Sequence, residues 1–245
     1  MRKLALLVPV LLLAGCGSAP PPHPMALLAP APTGVARGID MPTDARDVSL
    51  ELRGRARPDF VVRYYRAADS HWPSLSAPEA RMLSAAGIKL VTVWESHSHR
   101  PDYFSYASGY YDAVAVYQQA RRIGQPPGSA IYFAVDFNAQ QPDIVSRVDP
   151  YFRGIANGLV AAAGHAPEYR VGVYGSGAVC DYLKRMRLAQ YAWLSNARAW
   201  DGYASFDDWD IRQGGRSPYL SFSQDSNVAR GDYGAFKVPM QFSAL

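Results

Sequence analysis

The sequence predicts an α/β fold, a TIM-like (β/α) barrel made by a single domain, and three observations carry that reading. Short, nearly continuous apolar runs alternate with helical patterns, as in a parallel sheet covered on both faces. About eight such units fit between residues 35 and 245, the length of one barrel domain. The runs end in polar or acidic residues, as strands do when their C-terminal ends meet at a functional rim. An open doubly wound sheet is the rival arrangement.

The first fifteen residues stand apart from that domain. Arg2 and Lys3 precede an apolar stretch from Leu4 to Leu13, and Ala14-Gly15-Cys16 follows, the order of a secretory signal. The stretch is too short to span a bilayer as a mature helix. Leu13-Ala14-Gly15-Cys16 resembles the lipobox of bacterial lipoproteins, which implies a lipid on Cys16 and a membrane anchor in the cell envelope; an ordinary cleaved signal that contains a Cys is the alternative. Residues 16–34 are rich in Pro and Ala and lack periodicity, so they read as an extended tether.

Within the domain, residues 35–245, the strand candidates are "ARGIDM" (36–41), "FVVRYY" (60–65), "IKLVTVWE" (88–95), "AIYFAVD" (130–136), "RVGVYG" (170–175), "YAWLSN" (191–196) and "DWDIRQ" (208–213). A last strand is expected near "FKVPMQF" or just before it. Between them, "SAPEARMLSAAG" offers Ser76 and Glu79 as a capping box and Gly87 as a stop. "GYYDAVAVYQQARRIG" and "DIVSRVDPYFRGIANGLVAAAG" are longer helical patterns ending at Gly, with Pro150 placed to break or kink the second.

Composition narrows the classes further. The chain is 49% hydrophobic, enough for a large core. Its 25 basic and 21 acidic residues give +4, and loss of Arg2 and Lys3 with the signal leaves 23 against 21, or +2. No run of Lys and Arg interleaved with aromatics occurs, so nucleic acid is not an expected partner. With Cys16 assigned to the lipid, Cys180 remains as a single thiol in a helical pattern, where a buried inert state is expected.

If the sheet is parallel, one rim collects Asp40, Arg63, Tyr64, Tyr65, Glu95, Asp136, Asn138, Tyr174, Ser195, Asn196 and Gln213. Helix caps and turns account for any one Asp or Asn. Three carboxylates on three strand ends are harder to assign to turns alone.

"GIDMP", "FVVRYYR", the Ser-x-x-Glu-Ala helix before "AAGIKLVTVWE", "IYFAVDFNA" and "VGVYGSG" together resemble the Rv2525c-like, glycoside hydrolase-like domain, also called the domain of unknown function 1906. The resemblance covers residues 36–242 and implies a barrel similar to that of the family 25 lysozymes, which cut peptidoglycan glycan strands. The first-strand Asp of those lysozymes matches Asp40, and their fourth-strand Asp-x-Glu falls on Asp136-Phe137-Asn138. At Asn138 this chain departs from the pattern, because an amide cannot protonate a leaving oxygen. Gln213 is carried over from a late Trp-Gln pair.

Glycoside cleavage needs one carboxylic acid to protonate the departing oxygen and a carboxylate to stabilise or attack the sugar cation, or to activate water. Glu95, flanked by Trp94, is the expected acid, its pKa raised by partial burial. Asp136 is expected to stay charged, held by Arg63 or the Asn138 amide, with Asp40 as a further partner. Arg63, Tyr64, Asn138, Tyr174, Trp193, Asn196, Gln213 and Asp225 are the expected sugar contacts, with aromatic faces to stack on pyranose rings. Tyr65 and Trp94 alternate with the rim residues and read as core.

The remaining motifs carry less. Glu95, His97 and His99 in "ESHSH" could form a metal triad if extended, but a solvated loop reads better, so no metal and no cofactor is expected. Ser176 in "YGSG" lacks the spacing of a hydrolase elbow and caps the next helix instead. "QDSNVARGDYG" reads as a rim turn, with Asp225 entering the cleft. Two functions stay open: a membrane-tethered glycoside hydrolase acting on cell-wall polysaccharide, and a carbohydrate-binding or regulatory envelope protein that keeps the cleft without cleaving.

Overall fold

A computed structural model describes residues 34–52, 54, 57–216 and 224–239. Eight strands close into a barrel in sequence order: β1 (Val35–Asp40), β2 (Phe60–Tyr65), β3 (Lys89–Trp94), β4 (Ala130–Ala134), β5 (Arg170–Gly175), β6 (Tyr191–Leu194), β7 (Ile211–Arg216) and β8 (Asp225–Arg230). Each neighbouring pair from β1 to β7 is parallel. The closing strand β8 runs antiparallel to both β7 and β1.

The expected all-parallel sheet is therefore corrected at its last strand. A parallel return needs a crossover of roughly a dozen residues or more, whereas an antiparallel pair can be joined by a short hairpin. Too few residues separate Arg216 from Asp225 for the former. The stretch read as a rim turn is itself a strand, and Phe236 of "FKVPMQF" contributes an isolated antiparallel bridge to Leu90. The expected signal, the tether up to residue 33 and the lipidated Cys16 lie outside the described residues.

Helices Ala77–Ala85, Tyr106–Ile123, Asp149–Ala163 and Gly177–Arg185 follow β2, β3, β4 and β5. Their ends are set by the local signals. Ser76 accepts from the Glu79 amide while Glu79 accepts from the Ser76 amide, a complete capping box. Gly124 and Gly164 close the two long helices in the left-handed conformation. Ser176 accepts from the Val179 amide and caps the fourth. Before the third, a π-helical stretch, Ile144–Val148, leads into Asp149–Ala163, which starts with Pro150 in its first turn, where a missing N–H costs nothing.

The two long helices pack closely because glycines face the contact. A Cβ on Gly109 would lie 2.0 Å from the Tyr151 carbonyl oxygen, and one on Gly154 would lie 2.1 Å from that of Tyr106.

The two-residue alternation of strands divides the interior into two cores. Val62, Tyr64, Val91, Val93, Tyr132, Ala134, Trp193, Ile211 and Ala229 fill the barrel. Val61, Tyr65, Leu90, Trp94, Ile131 and Phe133 face the helices outside it. Arg63 belongs to the outward set: it is fully buried, donates to both Glu79 carboxylate oxygens and donates to the Met41 carbonyl at 3.0 Å. Cys180 is buried and free, its thiol pushed up by burial, in keeping with an inert core residue.

Candidate active site

The inward faces of the strands end in a small open mouth of about 180 Å³, lined by Asp40, Tyr64, Val93, Glu95, Asp136, Tyr174, Trp193, Gln213 and Asp225. Strand parity explains which side chains arrive. Gly38 and Asp40, Val62 and Tyr64, Val93 and Glu95, and Ala134 and Asp136 are each two apart, so the carboxylates share a side with the barrel filling. On β8, Asp225, Asn227 and Ala229 do the same from the opposite direction.

Asp40 is the most firmly held. It is 6% exposed and accepts from Asn227 Nδ2 at 2.7 Å, Gln213 Nε2 at 3.1 Å and the Tyr64 hydroxyl at 3.3 Å. Burial lifts its pKa to about 6, with those three donors pulling downward and Asp225 adding to the rise. Gln213 is itself oriented, since its Oε1 accepts from the Tyr174 hydroxyl at 3.0 Å and the Asn196 amide at 3.3 Å. Trp193 donates to Asn227 Oδ1 at 2.9 Å and packs edge-on against Tyr174.

Glu95 is raised further, to about 7. Burial is the largest cause; Arg66 opposes it, and the charges of Asp136 and Asp40 reinforce it. Arg66 Nη1 donates to the Glu95 carbonyl at 2.9 Å and lies 3.9 Å from Oε1. Asp136 is also raised by burial, against a downward pull from His99. Like charges crowded into one cavity cannot all ionise together, and the group with the highest pKa keeps the proton. In this mouth that group is Glu95.

A profile of the Rv2525c-like, glycoside hydrolase-like domain matches residues 52–238. The chain belongs to that family. Among proteins similar to this member, YbfG of Bacillus subtilis (strain 168) is 32% identical over 120 residues, which is 48% of this chain and 16% of YbfG. The chain thus spans a small part of that longer relative. The Tat-secreted protein Rv2525c of Mycobacterium tuberculosis, solved in complex with HEPES, superposes with a TM-score of 0.65 at 20% identity, covering 82% of this chain and 98% of that one. A muramidase from Trichobolus zukalii gives 0.53 at 12% identity over 80% and 94%. At these identities the structural likeness shows the shared barrel fold.

In this Rv2525c-like domain Asp40, Glu95, Asp136, Tyr64, Tyr174, Trp193, Gln213 and Asp225 converge on the mouth. Three expected contacts do not. Arg63 points away from it, being one residue out of phase with Tyr64, and cannot hold Asp136. Asn138 is tied to the loop after β6, accepting from the Asp201 amide at 2.9 Å and donating to its Oδ1 at 3.4 Å. Asn196 acts behind the lining, donating to the Gly214 carbonyl at 2.7 Å while its amide positions Gln213.

The aromatic expectation is also revised. Trp193 is 2% and Tyr64 8% exposed, so they form floor and wall rather than open stacking faces. Two contributors escaped the sequence reading. Asn227 sat in the supposed turn, and Arg66 was passed over for Arg63, although Val62, Tyr64 and Arg66 form one alternating set. Among the described residues, no group of three or more His, Cys, Asp or Glu side chains is arranged to hold a metal ion.

Proposed function

We propose that this glycoside hydrolase-like domain hydrolyses a cell-wall glycan, peptidoglycan or a related polysaccharide, from an exported, lipid-anchored position. The observation that carries the reading is the convergence of Asp40, Glu95 and Asp136 in one mouth, with Glu95 the most proton-retaining of them. The muramidase with the same barrel and the Tat-secreted relative support substrate and export. The lipobox-like Leu13-Ala14-Gly15-Cys16 supports the anchor.

In this reaction the Glu95 carboxyl gives its proton to the glycosidic oxygen as the bond to the anomeric carbon breaks. The Asp136 carboxylate stabilises the positive charge that develops there, or activates the water that completes hydrolysis. Asp40, immobilised by three donors, binds sugar hydroxyls and adds negative potential beneath the ring. Tyr174 and Gln213 offer further polar contacts, while Trp193 closes the floor to water.

One observation favours a binding role instead. Asn138, at the position matched to the family 25 acid, cannot donate a proton of the required kind and is spent on Asp201. Mass spectrometry of purified sacculi incubated with the protein separates the two readings. Released glycan fragments that disappear in Glu95→Gln and Asp136→Asn support hydrolysis. Binding to sacculi with no fragments from any variant supports a binding protein, and neither binding nor fragments defeats both.

A further inference from the structure

Glu95 is shared between the mouth and a larger adjoining cavity of about 530 Å³, whose lining includes Arg66, Asp69, Trp72, His97 and His99. Resting on the glycan reading above, we infer that this cavity is a second subsite, taking a carboxylate carried by the sugar beside the cleavage point, with Arg66 as its specificity-determining residue.

Arg66 motivates the assignment. Its side chain is only 10% exposed, its guanidinium lies 4.3 Å from the centre of the Tyr64 ring, and its Nε has no hydrogen-bond partner. A buried guanidinium short of partners is costly, and that cost is relieved by a planar anion that accepts from its fork. The nearest carboxylate is Glu95, 3.9 Å away, and proton donation requires that group to be neutral beforehand. Asp69, also on the cavity wall, is 75% exposed and lies 4.0 Å from His97. In the state poised for reaction, Arg66 therefore lacks a buried counter-ion, and an arriving carboxylate supplies one.

The charges are also segregated in a way that fixes where an acidic substituent can go. Asp40, Glu95, Asp136 and Asp225 line the mouth and repel it. Next door, Arg66 is a full cation, the acidic lining is limited to Asp69 and the shared Glu95, and His71, His97 and His99 add polar hydrogen-bonding groups. Trp72, 54% exposed at the same cavity, supplies an open face for a pyranose ring.

Two carboxylate sources share this chemistry: a lactyl ether on a muramic acid and the C6 carboxylate of a hexuronic acid. Calorimetric titration distinguishes them in the Glu95→Gln protein, which mimics the neutral acid and does not turn over. The ligands are muramic acid oligomers with free lactyl groups, hexuronic acid oligomers and chitooligosaccharides of equal length. At least one carboxylated series is expected to bind tenfold or more tighter than the neutral one, with a preference that shrinks as salt rises. Adding Arg66→Gln should abolish that preference while chitooligosaccharide binding persists. Arg66→Lys should restore part of it, and Trp72→Ala, a change at an exposed side chain, should weaken the preferred series. Equal affinity for all three series, or a preference that survives Arg66→Gln, overturns the subsite and leaves the glycan reading standing. Failure of every oligosaccharide to bind overturns the glycan reading, and the subsite with it.

Discussion

Glu95 shows how burial decides the chemistry of a carboxyl group. Its side chain is 30% exposed, yet desolvation and the charges of Asp136 and Asp40 together outweigh Arg66 and carry its pKa from 4.5 to about 7. With Asp40 near 6, an interval just below neutrality holds Glu95 mainly protonated and Asp40 mainly ionised. Turnover is expected to peak there, and kcat/KM should fall as pH rises through about 7, when Glu95 loses its proton. Glu95→Gln should lower kcat by about 10²–10⁴-fold, the usual share of general acid catalysis. The same shift has a sign in stability. A carboxyl whose pKa is raised by folding favours the folded state below its unfolded pKa, and that favour is lost as pH climbs through the folded value. A shift of this size corresponds to about 3 kcal/mol if fully buried, so about 1–2 kcal/mol is expected for a partly exposed group. Glu95→Gln should therefore melt above the parent protein at pH 8 and close to it at pH 4.5. Asn227 is the complementary test, since it donates to Asp40 and accepts from Trp193. Asn227→Ala should cost about 1–3 kcal/mol in chemical denaturation, because it leaves a buried donor and acceptor unpaired. It should also move the acid limb of the pH profile upward, as Asp40 loses its strongest downward pull.

The elements show where local rules suffice. The helix between Tyr106 and Ile123 crosses the one between Asp149 and Ala163 at glycines, so Gly154→Ala should destabilise. Alanine's gain in helix propensity, about 1 kcal/mol, is set against a methyl driven into the Tyr106 carbonyl. Overpacking of this kind costs about 1–3 kcal/mol, and a lowered Tm would register it. Six strands and four helices were legible in sequence from apolar runs, serine caps and, for three of the helices, a glycine stop; the seventh strand, expected at 208–213, lies three residues later at Ile211–Arg216 because its start carries no apolar run. The eighth strand was expected near "FKVPMQF" or just before it but could not be placed, because "DSNVAR" is apolar at alternate positions on neither side: Asn227 lies inside the barrel, and Val228 faces out at 37% exposure. The carboxylates of the mouth were legible as strand endings. The choice of arginine failed for a different reason. Arg63 and Arg66 are equally good as residue types, and only counting by twos from Val62 and Tyr64 tells which shares the side of Tyr64 and lies beside Glu95. Asn138 and Asn196 were misplaced because a strand-end amide can serve ligand or loop equally well, and the partners that decided it, Asp201 and Gly214, are remote in sequence.

On the scale of the molecule, two polar assemblies stitch distant segments together, one on each side of the barrel wall. Outside it, Arg63 and Glu79 join β2 to the following helix and, through the Ala45 amide at 2.9 Å, to the turn after β1. Removing one charge of a buried pair strands the other, so Glu79→Gln should cost about 3–5 kcal/mol in denaturant melts. Glycan binding by the surviving folded fraction should be unchanged, because Glu79 lies away from the mouth. Inside it, Asp40 of β1 gathers Tyr64 of β2, Gln213 of β7 and Asn227 of β8 onto one carboxylate. Those four strands include both antiparallel junctions at which the sheet closes. The clasp of the hoop and the proposed seat of the sugar are thus one piece. A ligand that grips Asp40 fastens the joint, and amide protons along β1 and β8 should exchange more slowly once glycan is bound. Whatever springs that joint, whether heat, denaturant or a cut between Arg216 and Asp225, is expected to extinguish glycan binding at the same moment that it unlocks the ring.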